Sequence, residues 1–368
     1  MQLTNNLIRP ERVNKYDQAA GGLRGYWYPV ARSNSINGKA VAVQVLDEKI
    51  ALIRDAGKVF ALRDRCPHRG VPLSLGRKEF PGTWACPYHG WVFDLKTGVL
   101  KAALTDGPDS PVCGKARVKS YPTEERLGYV WVYVGDGTPP PIEDDIPEEL
   151  RDPKAIRLDR LTMQKGNWRY ACENAFDEGH FKYLHRYGVL FSAFSKFPAW
   201  STISVINEEG GWITREVDSV AYEDTYGDLG PWPQKKSSKP TGGSFRVSMR
   251  LPGIMRNHHV GKERTNYSWY VPVGKDAYLY LQIYTTNATG WKKFKFWLYF
   301  WTYLRWVHFV QFNRQDLDMV ELLPETPPSR LYRPDVAIIA WRKLCETARQ
   351  FGRPVAEEVK EYSAEETS

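Results

Sequence analysis

Between Ala40 and Arg63 three short runs, VAVQVL, KIALIR and KVFALR, are separated by Asp47-Glu48 and by Asp55-Ala56-Gly57. Apolar, β-prone runs of six residues bounded by turn formers predict strands joined in hairpins. Trp91–Phe93 before the turn at Lys96-Thr97-Gly98, and GYVWVYV over Gly128–Val134, extend the pattern, so a small all-β unit is expected. Gly135–Pro147, GDGTPPPIEDDIP, combines Pro, Gly and acid and reads as a boundary. We therefore expect one domain over residues 1–150 and a second over 151–368. Past the boundary the pattern changes. Asn167–Tyr187 has helical patterning around a polar motif. Strand-like stretches (WITREV, SFRVSMRL, YSWYVPV, AYLYLQIYT) fill about Ser201 to Thr286, and Trp291 to Gln350 is mainly helical. No internal repeat interrupts this order.

A chain of 368 residues accommodates two domains with full cores, and 42% hydrophobic with 26% charged residues is ordinary for a soluble globular protein. Fourteen Trp, 21 Tyr and 15 Phe suit large apolar pockets. The net charge, 51 − 43 = +8, is spread along the chain. That scatter argues against a nucleic-acid partner; the basic excess better suits a face that docks an acidic electron-transfer protein, with an ordinary solvated surface as the default. Five cysteines, and no apolar leader in Met1–Pro10, lead us to expect a reducing, cytoplasmic setting. Cys113, Cys172 and Cys345 are read as buried thiols. Trp291–Phe312 is rich in aromatics, but its longest uncharged run, Phe296–Leu304, is nine residues. A spanning helix needs about 20, so no membrane span is expected. Burial in the core or at a subunit interface, a substrate entrance, and contact with a membrane surface are the readings left, in that order.

Candidate chemistry is concentrated in two places. Cys66-Pro67-His68-Arg69-Gly70 and, after seventeen residues following His68, Cys86-Pro87-Tyr88-His89-Gly90-Trp91 each offer one thiolate and one imidazole. Two cysteines on one iron and two histidines on the other is the ligand set of a Rieske [2Fe–2S] centre, Cys66, His68, Cys86 and His89 here. Glycine after each histidine-bearing segment lets the backbone bend and aim N–H groups at sulfur. A structural Cys2His2 zinc site is the alternative, although zinc fingers usually present a cysteine pair and then a histidine pair.

The second place is Asn174 to His185, which reads N-x-x-D-x-x-H-x4-H. Two histidines and a carboxylate on one face of Fe(II) leave positions open for O2 chemistry. His180 and His185 are five apart, roughly 140° around an ideal helix, so the helix must widen through a π-type turn or break between them. His258, His259 and His308 fall in no metal spacing. Plant-type ferredoxin and dinucleotide-binding motifs are missing, so electrons must come from separate proteins.

The two constellations together resemble the terminal oxygenase component of Rieske non-haem iron oxygenases, most of all the carbazole 1,9a-dioxygenase type. The likeness is carried by Asp64–Ser74 (DRCPHRGVPLS), Gly135–Pro141, Glu173–His180, Trp269–Val273 (WYVPV) and Ala340–Leu344 (AWRKL). It implies an α+β fold: an all-β Rieske domain, then a helix-grip catalytic domain with an antiparallel sheet. It also implies a late carboxylate ligand to the mononuclear iron, Asp316 by motif position with Asp318 as rival. A homotrimer is implied too, in which Asp177 bridges His180 to His89 of the partner subunit. A ferredoxin and an NAD(P)H-dependent reductase would supply the electrons. Asn174 is a candidate for a place beside the iron site, an N-cap or a plain polar contact. Two features depart from the carbazole-type pattern: one extra residue between the iron histidines, and the Trp291–Phe312 segment.

The expected reaction inserts oxygen from O2 into a hydrophobic aromatic or polycyclic substrate, by ring dihydroxylation or monohydroxylation. A steroid- or terpene-like substrate and oxidative demethylation are the alternatives. A non-catalytic Rieske electron carrier would leave the residues after the linker without a role.

Overall fold

The computed structural model describes residues 14–107, 109–152, 155–185, 200–221, 246–258 and 264–351. His259 and the Met1–Pro10 segment lie outside the described residues. After a short α1 (Lys15–Gln18) the first unit is built from ten strands: β1 (Tyr26–Arg32), β2 (Val41–Val45), β3 (Glu48–Asp55), β4 (Lys58–Arg63), β5 (Thr83–Ala85), β6 (Trp91–Asp94), β7 (Leu100–Ala103), β8 (Ser120–Tyr121), β9 (Thr123–Arg126) and β10 (Tyr129–Val134). They form three antiparallel sheets, β2-β3-β4-β8, β5-β6-β7 and β1-β10-β9. The three runs between Ala40 and Arg63 become β2, β3 and β4. Leu46 and Asp47 in the β2–β3 turn have φ of 49° and 59°, a costly conformation for residues with a Cβ. Their N–H groups donate to the Pro272 and Val273 carbonyls at 2.9 Å each, so contact with the second unit holds the turn in place.

That second unit is a seven-stranded antiparallel sheet made from β11 (Ile156–Lys165), β12 (Trp200–Glu208), β13 (Trp212–Ala221), β14 (Val247–Arg250), β15 (Ile254–Asn257), β16 (Arg264–Gly274) and β17 (Ala277–Thr286). The strand order is β11-β17-β16-β15-β14-β13-β12. Helices α2 (Trp168–Phe176), α5 (Asn313–Leu322) and α6 (Val336–Glu346) pack on it and on each other. Trp168 of α2 and Trp341 of α6 are fully buried, edge to face at 6.1 Å. Truncating either aromatic to Ala would cost about 3–5 kcal/mol. Sheet and helices together form the antiparallel grip expected from the resemblance.

The Pro/Gly-rich boundary is packed rather than loose. Ile142, Ile146 and Leu150 are buried, and Asp145 accepts from Trp27 N–H and pairs with Arg349 beyond α6. Burial pushes the Asp145 carboxyl up, with Arg349 opposing the shift. Trp131 of β10 meets Trp269 of β16 edge to face at 5.9 Å, so the two units share one core.

The Trp291–Phe312 segment is divided between core and surface. Helix α4 (Gly290–Tyr299) runs through π-helical turns at Phe300–Leu304 and Val307–Phe312 into α5. Phe296, Phe300, Leu304 and Phe309 are buried in a cluster with Tyr284, but the opposite face stays exposed in the chain. Half of this segment is therefore core and half is surface. No helix among the described residues is long and apolar enough to cross a membrane.

Candidate metal centres

The two Cys/His loops are folded by the same hydrogen bonds. Cys66 N–H donates to the Val71 carbonyl and Cys86 N–H to the Trp91 carbonyl, at 2.9 and 2.8 Å. Gly70 and Gly90 donate back to the carbonyls of Cys66 and Cys86, with φ of 77° and 64°. Glycine meets that left-handed requirement without steric cost. Asp64 braces the first loop by accepting from both Ser74 N–H and Ser74 Oγ, at 2.6 and 2.7 Å.

Cys66 and Cys86 are buried next to each other, whereas His68 and His89 lie toward the surface with ring centroids 4.6 Å apart. Trp91 stacks on His68 at 4.8 Å. Burial pushes the Cys66 thiol up to about 11, with Cys86 adding to the rise, so only a bound cation would make it a thiolate at neutral pH. Donors on a single zinc would lie within about 4 Å of one another, given Zn–S of about 2.3 Å and Zn–N of about 2.0 Å. Among the described residues the only group of three or more metal-type donors within 4.8 Å of one another is His180, His185 and Asp316. The loops thus do not form a single-ion cage, and two cysteines opposite two histidines fit a two-iron cluster.

The second centre is assembled from α2, α3 (Gly179–Leu184) and α5. Asn167, not Asn174, caps α2, its Oδ1 accepting from Arg169 N–H. Asn174 is in the last turn of α2, where its carbonyl accepts from Asp177 N–H. The chain turns at Asp177, whose carboxylate accepts from Gly179 N–H at 2.7 Å and His180 N–H at 2.9 Å to start α3. That helix ends at Leu184 and His185 is its C-cap. The predicted interruption is therefore a helix end, and the π-helical turns lie instead in the run toward Asp316.

His180 Nε2 and His185 Nε2 lie 3.4 and 3.0 Å from Asp316 Oδ1. His180 Nδ1 faces Asp177 Oδ2 at 3.3 Å, and His185 Nδ1 bonds Gln315 Oε1 at 2.8 Å. His185 is thus oriented by a hydrogen bond through Nδ1, His180 Nδ1 meets Asp177 as a close charge contact, and both rings offer Nε2 to the common point. Phe312 stacks on His185 at 3.7 Å. His185 Nε2 and Asp316 Oδ1 are buried and, although 3.0 Å apart, do not meet at a hydrogen-bonding angle, an arrangement that suits a shared cation. Burial would raise the Asp316 carboxyl, but His180 and His185 overcome it and hold it far below the usual carboxylate range. Burial opposes ionisation of Asp177 too, and His180 outweighs it. The rival Asp318 is half-buried and pairs with the exposed Arg314 at 2.8 Å.

Two groups escaped sequence reading. Gln315 gave no signal beyond its place beside Asp316. Arg215 of β13 pairs with Glu178 at 2.9 Å, both side chains being 2% exposed, and donates to the Phe176 carbonyl. This pair sits behind the turn that carries Asp177.

Known proteins match this arrangement. The Rieske [2Fe–2S] domain family matches residues 26–122, and the homotrimeric ring hydroxylase family matches residues 133–198 and 210–351. The terminal oxygenase component of carbazole 1,9a-dioxygenase from a Sphingomonas species is 34% identical, over 93% of this chain and 95% of its own length. The corresponding component from Metapseudomonas resinovorans is 30% identical, over 91% and 93%. A solved reduced complex of oxygenase and ferredoxin in carbazole 1,9a-dioxygenase superposes with a TM-score of 0.77 at 28% identity, covering 92% of this chain and 93% of the other.

Proposed function

The chain belongs to the homotrimeric ring hydroxylases that carry a Rieske [2Fe–2S] domain, and from that membership we propose a terminal oxygenase that inserts oxygen from O2 into a hydrophobic polycyclic aromatic compound. The observation that carries this reading is the convergence of His180, His185 and Asp316 on one buried point in a chain that also has paired Cys/His loops. Held by these residues, a [2Fe–2S] cluster would supply one-electron transfer and an Fe(II) ion would supply O2 activation.

The protein's own residues supply position and charge. Cys66, His68, Cys86 and His89 hold the cluster, the histidines at the surface side where electrons enter and leave. His180, His185 and Asp316 are the three ligands of the mononuclear iron, and three donors rather than four leave positions free. Asp177 fixes the His180 ring through Nδ1, and Gln315 fixes His185 in the same way. We assign to Asp177 a second bond, to His89 of the partner subunit in a trimer, that couples the two metals. Asn174 is a candidate neighbour of the iron site. We place the domain division at residues 150/151 and the protein in the cytoplasm. A ferredoxin, reduced by an NAD(P)H-dependent reductase, delivers the electrons, as the ferredoxin complex of the carbazole enzyme suggests.

The test is product analysis with labelled O2 over a panel of polycyclic aromatics and sterols, using a compatible ferredoxin and reductase. Label is expected in an oxygenated polycyclic aromatic. Reduction and reoxidation of the cluster without label in any product would reduce the protein to an electron carrier.

A further inference from the structure

Helix α4 and the first π-helical turn present a contiguous aromatic face to the outside. Trp291 stacks on Phe294 at 5.0 Å, Phe294 on Trp297 at 6.3 Å, and Trp297 approaches Trp301 at 6.5 Å. These four side chains are 46–66% exposed, with Leu298 and Trp306 at 45% and 49%. Scattered apolar residues are normal on a surface, but a contiguous ladder of three indoles and a phenyl ring is a contact site. Its charge is one-sided. Lys292, Lys293, Lys295 and Arg305 are the charged residues between Gly290 and Gln311, none of them acidic, and all four are exposed. The Arg305 guanidinium lies 4.8 Å from the Trp301 ring.

We propose that this face lies on an anionic lipid bilayer, with the indole ladder at headgroup depth and the four cations against the lipid phosphates. An amphipathic helix with Trp, Phe and Leu on one side and Lys and Arg around it inserts in the plane of the interface. Tryptophan is enriched at that depth because it is apolar in body and polar at N–H. Each cation near an anionic surface strengthens binding roughly fivefold. A second copy of this face is the poorer partner, because like cations would meet. The opposite face of the segment anchors it on Tyr284, so the ladder is presented by a fixed element. The helical run continues through Phe312 and Asp316 beside the proposed iron, so the docked face connects directly to the element that holds the site. A hydrophobic compound dissolved in the bilayer would be within reach of that element.

Holoprotein is mixed with vesicles of phosphatidylcholine alone or with about a third phosphatidylglycerol, and the bound fraction is read by cosedimentation. Binding is expected to the anionic vesicles, at least tenfold weaker to the neutral ones, and to weaken as salt rises. Trp297→Ser with Trp301→Ser should cut anionic-vesicle binding at least tenfold while cluster absorbance and trimer mass stay unchanged. Lys292→Gln, Lys293→Gln and Lys295→Gln together should reduce the preference for anionic lipid to about the fivefold that Arg305 alone supplies. No binding to anionic vesicles at low salt overturns the proposal. So does a double tryptophan variant that dissociates the oligomer, since the face would then join copies of the chain. These readouts need no turnover, so they stand or fall apart from the assigned reaction.

Discussion

His180 sits between two carboxylates, with Nδ1 3.3 Å from Asp177 and Nε2 3.4 Å from Asp316. Burial alone would lower its pKa, but the carboxylates outweigh it and raise the imidazole to about 9. In metal-free protein at pH 7 the ring is therefore an imidazolium, and an incoming ion must displace its proton. Two pH units of proton competition weaken binding about a hundredfold, or about 2.7 kcal/mol. Protein stripped of mononuclear iron and titrated with Co(II) in buffers of different ionisation enthalpy should release about one proton per ion at pH 7. Affinity should climb about tenfold per pH unit from about 6.5 and level off near 9. Stability moves oppositely in the stripped protein. The folded pKa lies above the unfolded one, so its contribution is complete below about pH 6.5 and is lost as pH rises through 9. Asp177→Asn removes one carboxylate and should bring the plateau to lower pH. Binding that is flat between pH 6.5 and 9, with no proton released, would refute this electrostatic account.

Asp316→Ala should lose mononuclear iron and turnover while keeping the cluster spectrum, whereas Asp318→Ala, which removes only the exposed Arg314 pair, should do neither; metal analysis of both variants decides. Gln315→Leu should weaken iron binding about 10–100-fold by freeing His185 Nδ1, measured by competition with a chelator. Arg215→Met leaves Glu178 buried without its cation and should cost about 3–5 kcal/mol in urea unfolding, while adding Glu178→Gln should recover most of it.

The first constellation was legible because its ligands lie in two short loops, each closed by bonds within six residues and by a glycine with positive φ. The strands between Ala40 and Arg63 were legible for the same local reason. His180 and His185 were visible as a pair, but spacing alone does not reveal that Asp177 starts α3 by accepting two N–H groups or that the helix stops at Leu184 and leaves His185 as its C-cap. Asp316 was reached through family likeness. It stands 131 positions after His185 (316 − 185), and the sheet and helices that carry it there are tertiary. Gln315 and the Glu178–Arg215 pair were invisible because a lone amide or ion pair has no periodicity. Trp291–Phe312 reads as core or subunit interface from its composition, and only packing on Tyr284 shows which half is inside the chain.

The most direct test of two metal centres in one chain is analysis of iron, zinc and acid-labile sulfide in purified protein. The account predicts two irons with two sulfides from the cluster and one further iron at His180, His185 and Asp316. Stoichiometric zinc with no sulfide would contradict it.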